Sequence, residues 1–445
     1  MDGIGTGMVT ISGITCVYYN MIIAWTIFYT FASFNKVLPW SNCDFERSTL
    51  DCYDYNLARK CESGGGIFYK TYCFNATEAT EYRVTKEMAA NATKVFPSQE
   101  YFTNYVLDMT DGIEYMGKQR WQLVLCLLAA WVIVYLCLIK GVKSSGKVVY
   151  FTALFPYVVL TILLIRGATM PGAINGIRFY MIPDWSKLKH AKVWGDAAKQ
   201  IFYSLGPAWG GLITLASYNK FNNNLYRDAL IVSVGNCATS VFAGFAIFSI
   251  LGFMAHDINV PVGEVVDSGP GLAFIAYPEA ITRLPIAPLW SFLFFFMIIT
   301  LGLDSQFTMM ETVTTAVLDK FTQLRKYKAW VLLAACTLWF LAGLSMTGQV
   351  GVYVLTLIDS YAAGWSLMIL ALLECIVIGW FYDVPNVKSP RTRRFGDDIA
   401  MMIGYRPFIG WQIMWKFVTP AILLFILFFT WIDYTPIKYA SYVYP

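Results

Sequence analysis

The residues best suited to chemistry lie where long apolar stretches are interrupted. The clearest interruption is QIFYSLGPAWGG (200–211). Proline removes a backbone donor and clashes with the preceding turn, and glycine lowers the cost of leaving helical geometry. A helix broken here would expose carbonyls and amides, which an apolar medium tolerates only around a cavity or binding site. An ordinary proline kink is the alternative, but Gln200 and Ser204 one turn apart, with an aromatic on each side of the break, favour the broken helix.

A second polar pair, Asn236 and Ser240, occupies positions i and i+4, so both residues share one face of a predicted helix. An amide and a hydroxyl one turn apart can offer oxygens to Na⁺ or donors to an anion. A hydrogen bond between neighbouring membrane helices is the commoner use of such a pair. Taken alone, the pair favours that structural interpretation.

A third cluster centres on Asp304, a carboxylate inside the apolar run FLFFFMIITLGLDSQF. The Leu301 carbonyl, Asp304 and Ser305 fall at i, i+3 and i+4, so they can converge on one point. They would offer hard oxygen ligands to a hard cation, and proton relay is the rival use. Pairing with a basic residue is disfavoured, because neighbouring predicted spans have no Lys or Arg in their cores.

Composition indicates which elements must position these residues. The 445-residue chain is 57% hydrophobic and 14% charged, whereas soluble domains carry about 25% charged residues. Its mean hydropathy is +0.52. These values predict an all-α integral membrane protein, because a span needs about 20 apolar residues. The predicted spans are 8–34, 121–139, 147–166, 198–218, 228–255, 286–318, 329–346, 350–382 and 415–434.

Two signals predict the orientation of these spans. The sequons at Asn75 and Asn91 can be glycosylated only on the lumenal face, which places loop 35–117 outside. The densest basic loops then fall inside, as the positive-inside rule requires. These inner loops are 140–147, 319–328 and 383–407, the last with Arg391, Arg393 and Arg394. Met1 is then predicted inside and Pro445 outside.

Four cysteines crowd into the predicted outer loop, where they are disulfide candidates. They are Cys43, Cys52, Cys61 and Cys73. No GxSxG, HExxH or P-loop motif occurs, so the sequence does not indicate an enzyme. The basic residues follow membrane topology and form no nucleic-acid patch.

Three motifs together, ASYNKFNNN (216–224), SLGPAWGG (204–211) and TLGLDSQF (300–307), resemble the neurotransmitter:sodium symporter family. The resemblance extends over nearly the whole chain. It implies a LeuT-type inverted-repeat helix bundle, here truncated to about nine spans in one transporter domain, 1–445. Residues 1–166 would form a partial first repeat with the glycosylated loop, 198–382 the second repeat, and 383–445 an inner loop and one further span. We therefore expect a fragment or incomplete gene product without the first two and the last family spans.

The resemblance also implies ion sites. Ser204 and Asn236 match ligands of a first sodium site. The Leu301 carbonyl, Asp304 and Ser305 match a second. The chloride site is implied to use Gln200, Ser204, Asn236 and Ser240, which accounts for both pairs spaced one turn apart.

Other roles are implied in the same way. The residues matching the substrate pocket are Tyr19, Tyr203, Ser204, Trp209, Ser305, Gln306 and Met309. Asp359 resembles an outer gate acid and Asp319 an inner one, with basic partners expected in family segments absent from this chain. Cys43 and Cys52 match a family disulfide.

These residues lead to a functional expectation: sodium- and chloride-dependent symport of a small zwitterionic amino acid across the plasma membrane, without an organic cofactor. The sequence around Trp209 looks most like the branch for glycine, proline and neutral or cationic amino acids. Alternatives are a betaine, GABA or monoamine symporter, or a non-transporting truncated isoform that associates with the intact transporter. The expected partners are the substrate and the lipid bilayer; a homo-oligomer stays open.

Overall fold

Helices dominate the computed structural model, which describes residues 2–92, 94–140, 142–265, 272–362, 364–382, 394–432, 437–439 and 442–444. In chain order they are α1 (Asp2–Ala32), α2 (Tyr55–Ser63), α3 (Ala76–Glu81), α4 (Lys86–Asn91), α5 (Pro97–Glu100), α6 (Trp121–Leu138), α7 (Val142–Ala168), α8 (Ala173–Met181), α9 (Ala191–Leu205), α10 (Gly211–Ser217), α11 (Leu225–Ile258), α12 (Tyr277–Thr282), α13 (Ala287–Lys320), α14 (Lys328–Gly343), α15 (Gly351–Ala362), α16 (Trp365–Ile376), α17 (Arg394–Ile403), α18 (Ile409–Ile413) and α19 (Thr419–Ile432).

Two short antiparallel hairpins accompany the helices. They are β1 (Ile67–Tyr69) with β2 (Tyr72–Phe74), and β3 (Lys438–Tyr439) with β4 (Tyr442–Val443). Turns of 3₁₀ or π geometry lie at Tyr101–Val106, Trp185–Lys189, Val262–Glu264, Leu272–Ala276, Thr322–Tyr327, Leu344–Met346, Val377–Phe381 and Met414–Val418.

Within the described residues, eight helical segments are long and apolar enough to cross a membrane. They are Gly3–Ala32, Trp121–Leu138, Val148–Ala168, Leu225–Ile258, Ala287–Lys320, Thr322–Met346, Gly351–Phe381 and Ile409–Phe429. Each overlaps a predicted span. The remaining prediction, 198–218, forms two helices that are each too short to cross alone, because the chain leaves helical geometry between them. The multi-span membrane architecture predicted from composition is confirmed.

The core is built around α1, which packs against α13, α6, α14, α15 and α16. A helix surrounded in this way must be apolar on most faces. Trp25 and Tyr29 are both fully buried in its C-terminal half. The Tyr29 ring stacks on Phe295 of α13 with centroids 4.7 Å apart, and Trp25 meets Phe102 edge-on at 5.6 Å. The central position of α1 lets its side chains reach several site elements at once.

The predicted outer loop, 35–117, is an ordered cap and not a plain loop. It contains α2 to α5 and the first hairpin, and disulfides join Cys43 to Cys52 and Cys61 to Cys73. An ion pair of 2.8 Å between Arg59 of α2 and Asp257 of α11 ties the cap to the membrane helices.

One of the predicted inner loops, 383–407, is described only in part. Residues 383–393, with Arg391 and Arg393, lie outside the described residues. The description resumes at Arg394, the first residue of α17.

Candidate functional site

The predicted break separates two short helices. α9 ends at Leu205, and α10 begins at Gly211. Between them the backbone is left-handed at Gly206 (φ 66°), Ala208 (φ 62°) and Gly210 (φ 77°). Glycine takes such values without strain, whereas a residue with a Cβ does so at a cost of about 1–2 kcal/mol. The proline-kink alternative is thereby excluded, since the helix is interrupted over several residues.

Two neighbouring helices hold the break in place. Ser12 of α1 is fully buried, and its Oγ donates to the Trp209 carbonyl at 2.6 Å. A Cβ on Gly210 would lie 3.0 Å from Thr312 Cγ2 and 3.4 Å from Met8 Cβ. The unwound backbone therefore lies against α1 on one side and α13 on the other, which fixes the position of its polar groups.

A cavity of about 440 Å³ opens between α1, the break, α13 and α15. Among its walls are the predicted residues Tyr19, Tyr203, Ser204, Trp209, Ser305, Met309 and Asp359. Sequence reasoning missed other wall residues, which include Ser12, Thr15, Tyr18, Thr308 and Thr312. Helical periodicity could have found all of these except Tyr18, because residues three, four and seven positions from Tyr19 and Ser305 share the same helix faces.

Polar groups of α1 connect the walls of this cavity. The Tyr18 side chain lies close enough to the Asp359 carboxylate on α15 and to Tyr203 on α9 to interact electrostatically with both. The next residue, Tyr19, interacts with Ser305 on α13, and both side chains line the cavity. Two adjacent tyrosines thus join three other elements of the site.

Gln306 is a correction to the predicted pocket. Its side chain is fully buried outside the cavity, and its Nε2 donates to the Cys16 carbonyl of α1 at 3.3 Å. Consecutive helix residues point about 100° apart, so Ser305 in the cavity turns Gln306 toward the α1–α13 interface. In this structure Gln306 joins two helices and does not line the pocket.

The predicted second sodium site lies on α13 where α7 approaches it. Asp304 is partly buried and accepts a hydrogen bond of 2.5 Å from Thr152 of α7, a residue that sequence reasoning missed. Leu301 and Ser305, one turn apart on the same helix, are exposed. Among the described residues Asp304 forms no ion pair, so its charge is available to a cation.

The predicted first sodium and chloride sites share one direct contact. Ser204 of α9 and Asn236 of α11 hydrogen bond through their side chains, with heavy-atom distances of 2.9 and 3.0 Å. Ser240 donates to the Asn236 carbonyl of its own helix at 3.0 Å. Gln200 is exposed one turn before Ser204. The Gln200/Ser204 pair and the Asn236/Ser240 pair are therefore in contact through the hydrogen bond between Ser204 and Asn236.

The two predicted gate acids occupy different positions. Asp359 lines the cavity, whereas Asp319 lies at the end of α13 and pairs with Arg325 at 2.8 Å. Sequence reasoning expected the partner of Asp319 elsewhere. Both members of this pair are more than half exposed, and exposed ion pairs contribute at most about 1 kcal/mol.

The disulfide-bonded cap carries both predicted sequons. Asn75 is exposed and caps the N-terminus of α3. Asn91 is the last residue of α4, and Thr93 of its sequon lies outside the described residues.

Comparison with known proteins identifies the architecture. The family model for the sodium:neurotransmitter symporter family matches residues 1–445. Two relatives come from Xenopus laevis. The sodium- and chloride-dependent glycine transporter 2 is 50% identical over 453 residues, and the sodium- and chloride-dependent glycine transporter 1 is 49% identical over 446. The mouse sodium- and chloride-dependent neutral and basic amino acid transporter B(0+) is 47% identical over 458 residues.

All three alignments cover 100% of this chain. The chain spans 56%, 68% and 69% of the length of these relatives, in the same order. A family match over every residue, together with the interrupted helix and the spans that surround it, leaves no competing fold. The chain belongs to the sodium:neurotransmitter symporter family.

Proposed function

We propose that this protein is a sodium- and chloride-coupled symporter of a small amino acid such as glycine, acting at the plasma membrane. The observation that carries the proposal is the cavity between the broken helix and α13, whose walls include Ser204, Trp209 and Ser305, the residue next to Asp304. Relatives named for sodium- and chloride-dependent transport of glycine, or of neutral and basic amino acids, support the same ions and substrate class.

In this proposal the ions bind to side chains at the edges of the cavity. The Leu301 carbonyl, Asp304 and Ser305 hold one sodium ion through hard oxygen atoms. Ser204 and Asn236 contribute to the other sodium site, which is the first of the two predicted from the sequence. The proposed chloride site is formed by Gln200, Ser204, Asn236 and Ser240.

Coupling between sodium and substrate binding then follows because both would contact residues of the same cavity wall. Ser305 lies in the cavity and next to Asp304, so a cation bound there orders a residue that substrate also contacts. Because binding free energies are linked, sodium that favours substrate binding is itself bound more tightly when substrate is present. Transport would follow from rocking of one group of helices against another around this fixed site, as in other secondary transporters with inverted repeats.

The aromatic walls favour a small substrate. Tyr203 and Trp209 meet edge-to-face with ring centroids 6.0 Å apart, and Met309 lies on the α13 wall of the same cavity. Three bulky side chains leave room for a short zwitterion better than for a long side chain. Substitution of Trp209 by a smaller residue is therefore expected to admit larger neutral amino acids.

The decisive experiment is sodium-dependent uptake of radiolabelled glycine by the protein carrying Asp304→Ala, at matched surface expression. We expect uptake to fall at least about 100-fold, because removing the one charged oxygen donor of a cation site costs about 3 kcal/mol or more. Asp184→Ala is the matched control, since Asp184 is an exposed carboxylate beside Ser186 and away from the cavity. Normal sodium-dependent uptake by the Asp304 variant would end the assignment.

A further inference from the structure

A second cavity, of about 430 Å³, lies at the outer end of α1 and is separate from the transport site. This volume falls within the range of about 300–1,000 Å³ that is usual for small-molecule sites. Five of its wall residues are aromatic: Phe28, Phe31, Phe45, Tyr101 and Tyr105. We call it the aromatic cavity.

The rings of the aromatic cavity are held by contacts with one another. Phe45 meets Tyr101 edge-on with centroids 5.5 Å apart, and Tyr101 stacks on Tyr105 at 5.0 Å. Phe31, on the last turn of α1, is 67% exposed. The faces of aromatic rings carry negative potential, so a group of rings around an open space attracts a cation that it can desolvate cheaply.

A carboxylate adds to this preference. Glu46 lines the cavity, is exposed, and forms no ion pair with another described side chain. The basic side chains nearby are already engaged by Asp108, which contacts Arg47 and lies 3.8 Å from Arg120. Arg120 also donates to the Tyr105 carbonyl. Glu46 is therefore a carboxylate of the cavity wall that is held in no direct ion pair among the described residues, while its charge also acts on Arg120 at longer range.

The position of the aromatic cavity indicates where its ligand comes from. Phe28 and Phe31 belong to the last turns of the span Gly3–Ala32, and Cys126, another wall residue, belongs to the second turn of the span Trp121–Leu138. These helix ends lie on the side of the disulfide-bonded cap, which is the predicted outer face. The cavity thus opens at the level of the lipid headgroups.

We propose that the aromatic cavity binds the headgroup of a phosphatidylcholine molecule of the outer leaflet, with its trimethylammonium group among the rings and beside Glu46. A quaternary ammonium has no N–H to satisfy, so it suits walls made of rings. The primary ammonium of phosphatidylethanolamine has three N–H donors, which ring walls satisfy poorly even with Glu46 present, and the glycerol headgroup of phosphatidylglycerol brings no cation. The proposal is independent of transport activity.

The test uses the chain in nanodiscs that contain one spin-labelled lipid at low mole fraction. Phosphatidylcholine, phosphatidylethanolamine and phosphatidylglycerol with identical acyl chains are compared by the motionally restricted fraction of the spectrum. We expect phosphatidylcholine to be preferred about two- to five-fold over both others, the size expected of a partly exposed cation–π site. This comparison needs no variant, so it cannot be confused by misfolding.

Three variants then test whether the preference for phosphatidylcholine arises at the aromatic cavity. Glu46→Gln and Phe45→Leu are expected to remove it, because each keeps the approximate shape of the wall and deletes one attraction. Glu87→Gln is the control, since Glu87 is an exposed carboxylate of α4 in the same cap. Equal restriction of the three lipids by the unmodified chain, or a preference that survives both cavity variants, would overturn the proposal.

Discussion

At the scale of single residues, the interrupted helix shows how backbone conformation selects side chains. Gly210 is left-handed and fits between Thr312 and Met8, so it meets both a conformational and a spatial requirement. Ala208 is left-handed as well, with a side chain that is 5% exposed. An alanine in this conformation stores strain that the surrounding helices must offset.

Gly210→Ala is expected to destabilise the protein by about 2–3 kcal/mol, because the left-handed cost adds to a tight contact with Thr312. Thermal unfolding in detergent measures the change. Gly195→Ala is the matched control: Gly195 lies inside α9 with open space at its Cβ position, and there alanine is expected to stabilise by about 0.5–1 kcal/mol. If the Gly210 variant were as stable as the unmodified protein, the backbone of the interruption would have adjusted to the extra methyl group without cost, which would contradict this prediction.

The sequence predicted the site residues unevenly, for physical reasons. Ser204 and Ser305 were singled out because a polar residue inside an apolar run is conspicuous, and Trp209 because it is an aromatic residue beside the helix break. Thr152 was missed, since a lone threonine in an apolar helix is common and only its distance to Asp304 gives it meaning. Gln306 was assigned to the pocket wall because a sequence motif alone does not show which face of the helix each residue occupies.

At the scale of elements, ion pairs between the cap and the membrane helices stand out. Arg283, just after α12, contacts Asp257 at the end of α11 and lies 3.0 Å from Glu279 of α12. The Arg283 and Glu279 side chains are 7% and 5% exposed. Burial raises the pKa of the Glu279 carboxyl, and Arg283 opposes that rise. Arg59 of α2 completes the group from the cap.

Arg283→Met is expected to cost about 3–5 kcal/mol of stability at neutral pH, because it leaves a buried carboxylate without its cation. The double variant Arg283→Met with Glu279→Leu is expected to recover most of that loss. The loss in the single variant should shrink as the pH falls. The raised pKa of Glu279 in the folded protein means that this carboxyl is already neutral at pH values where it is still charged in the unfolded chain, and a neutral carboxyl needs no cation. Thermal unfolding across pH values measures both effects.

Arg59→Met serves as the control for this element. The Arg59 side chain is 60% exposed, so breaking its contact with Asp257 should cost less than about 1 kcal/mol. Equal losses from the Arg59 and Arg283 variants would contradict the distinction drawn here between exposed and buried ion pairs.

At the scale of the whole molecule, the long spans were predictable and their arrangement was not. Span number and approximate bounds follow from apolar length, which the bilayer imposes independently of neighbours. The internal structure of the cap was not predicted, because its short helices depend on disulfides and on contacts with distant segments. The second disulfide, Cys61–Cys73, likewise required the fold to choose among the pairings that four cysteines allow.

The predicted orientation has a direct test. If the cap faces outward, the chain expressed in cells should carry a glycan at Asn75, an exposed residue. Asn75→Gln should then remove one step of the mobility shift seen on treatment with an endoglycosidase. Asn56→Gln is the control, since Asn56 lies in the same cap outside any sequon. An unchanged glycosylation pattern in the Asn75 variant would contradict attachment at that residue.

The bond from Ser12 to Trp209 limits what the unwound segment can offer an ion. A carbonyl oxygen that accepts at 2.6 Å has one of its two lone pairs occupied, and here the donor comes from the central helix of the bundle. Any cation that relied on that oxygen would compete with a buried hydroxyl. The next carbonyl, that of Gly210, is occupied as well, since it accepts from the Thr214 amide at 2.9 Å. Two carbonyls of the interruption are thus satisfied within the protein, and α1 satisfies one of them through a single hydroxyl.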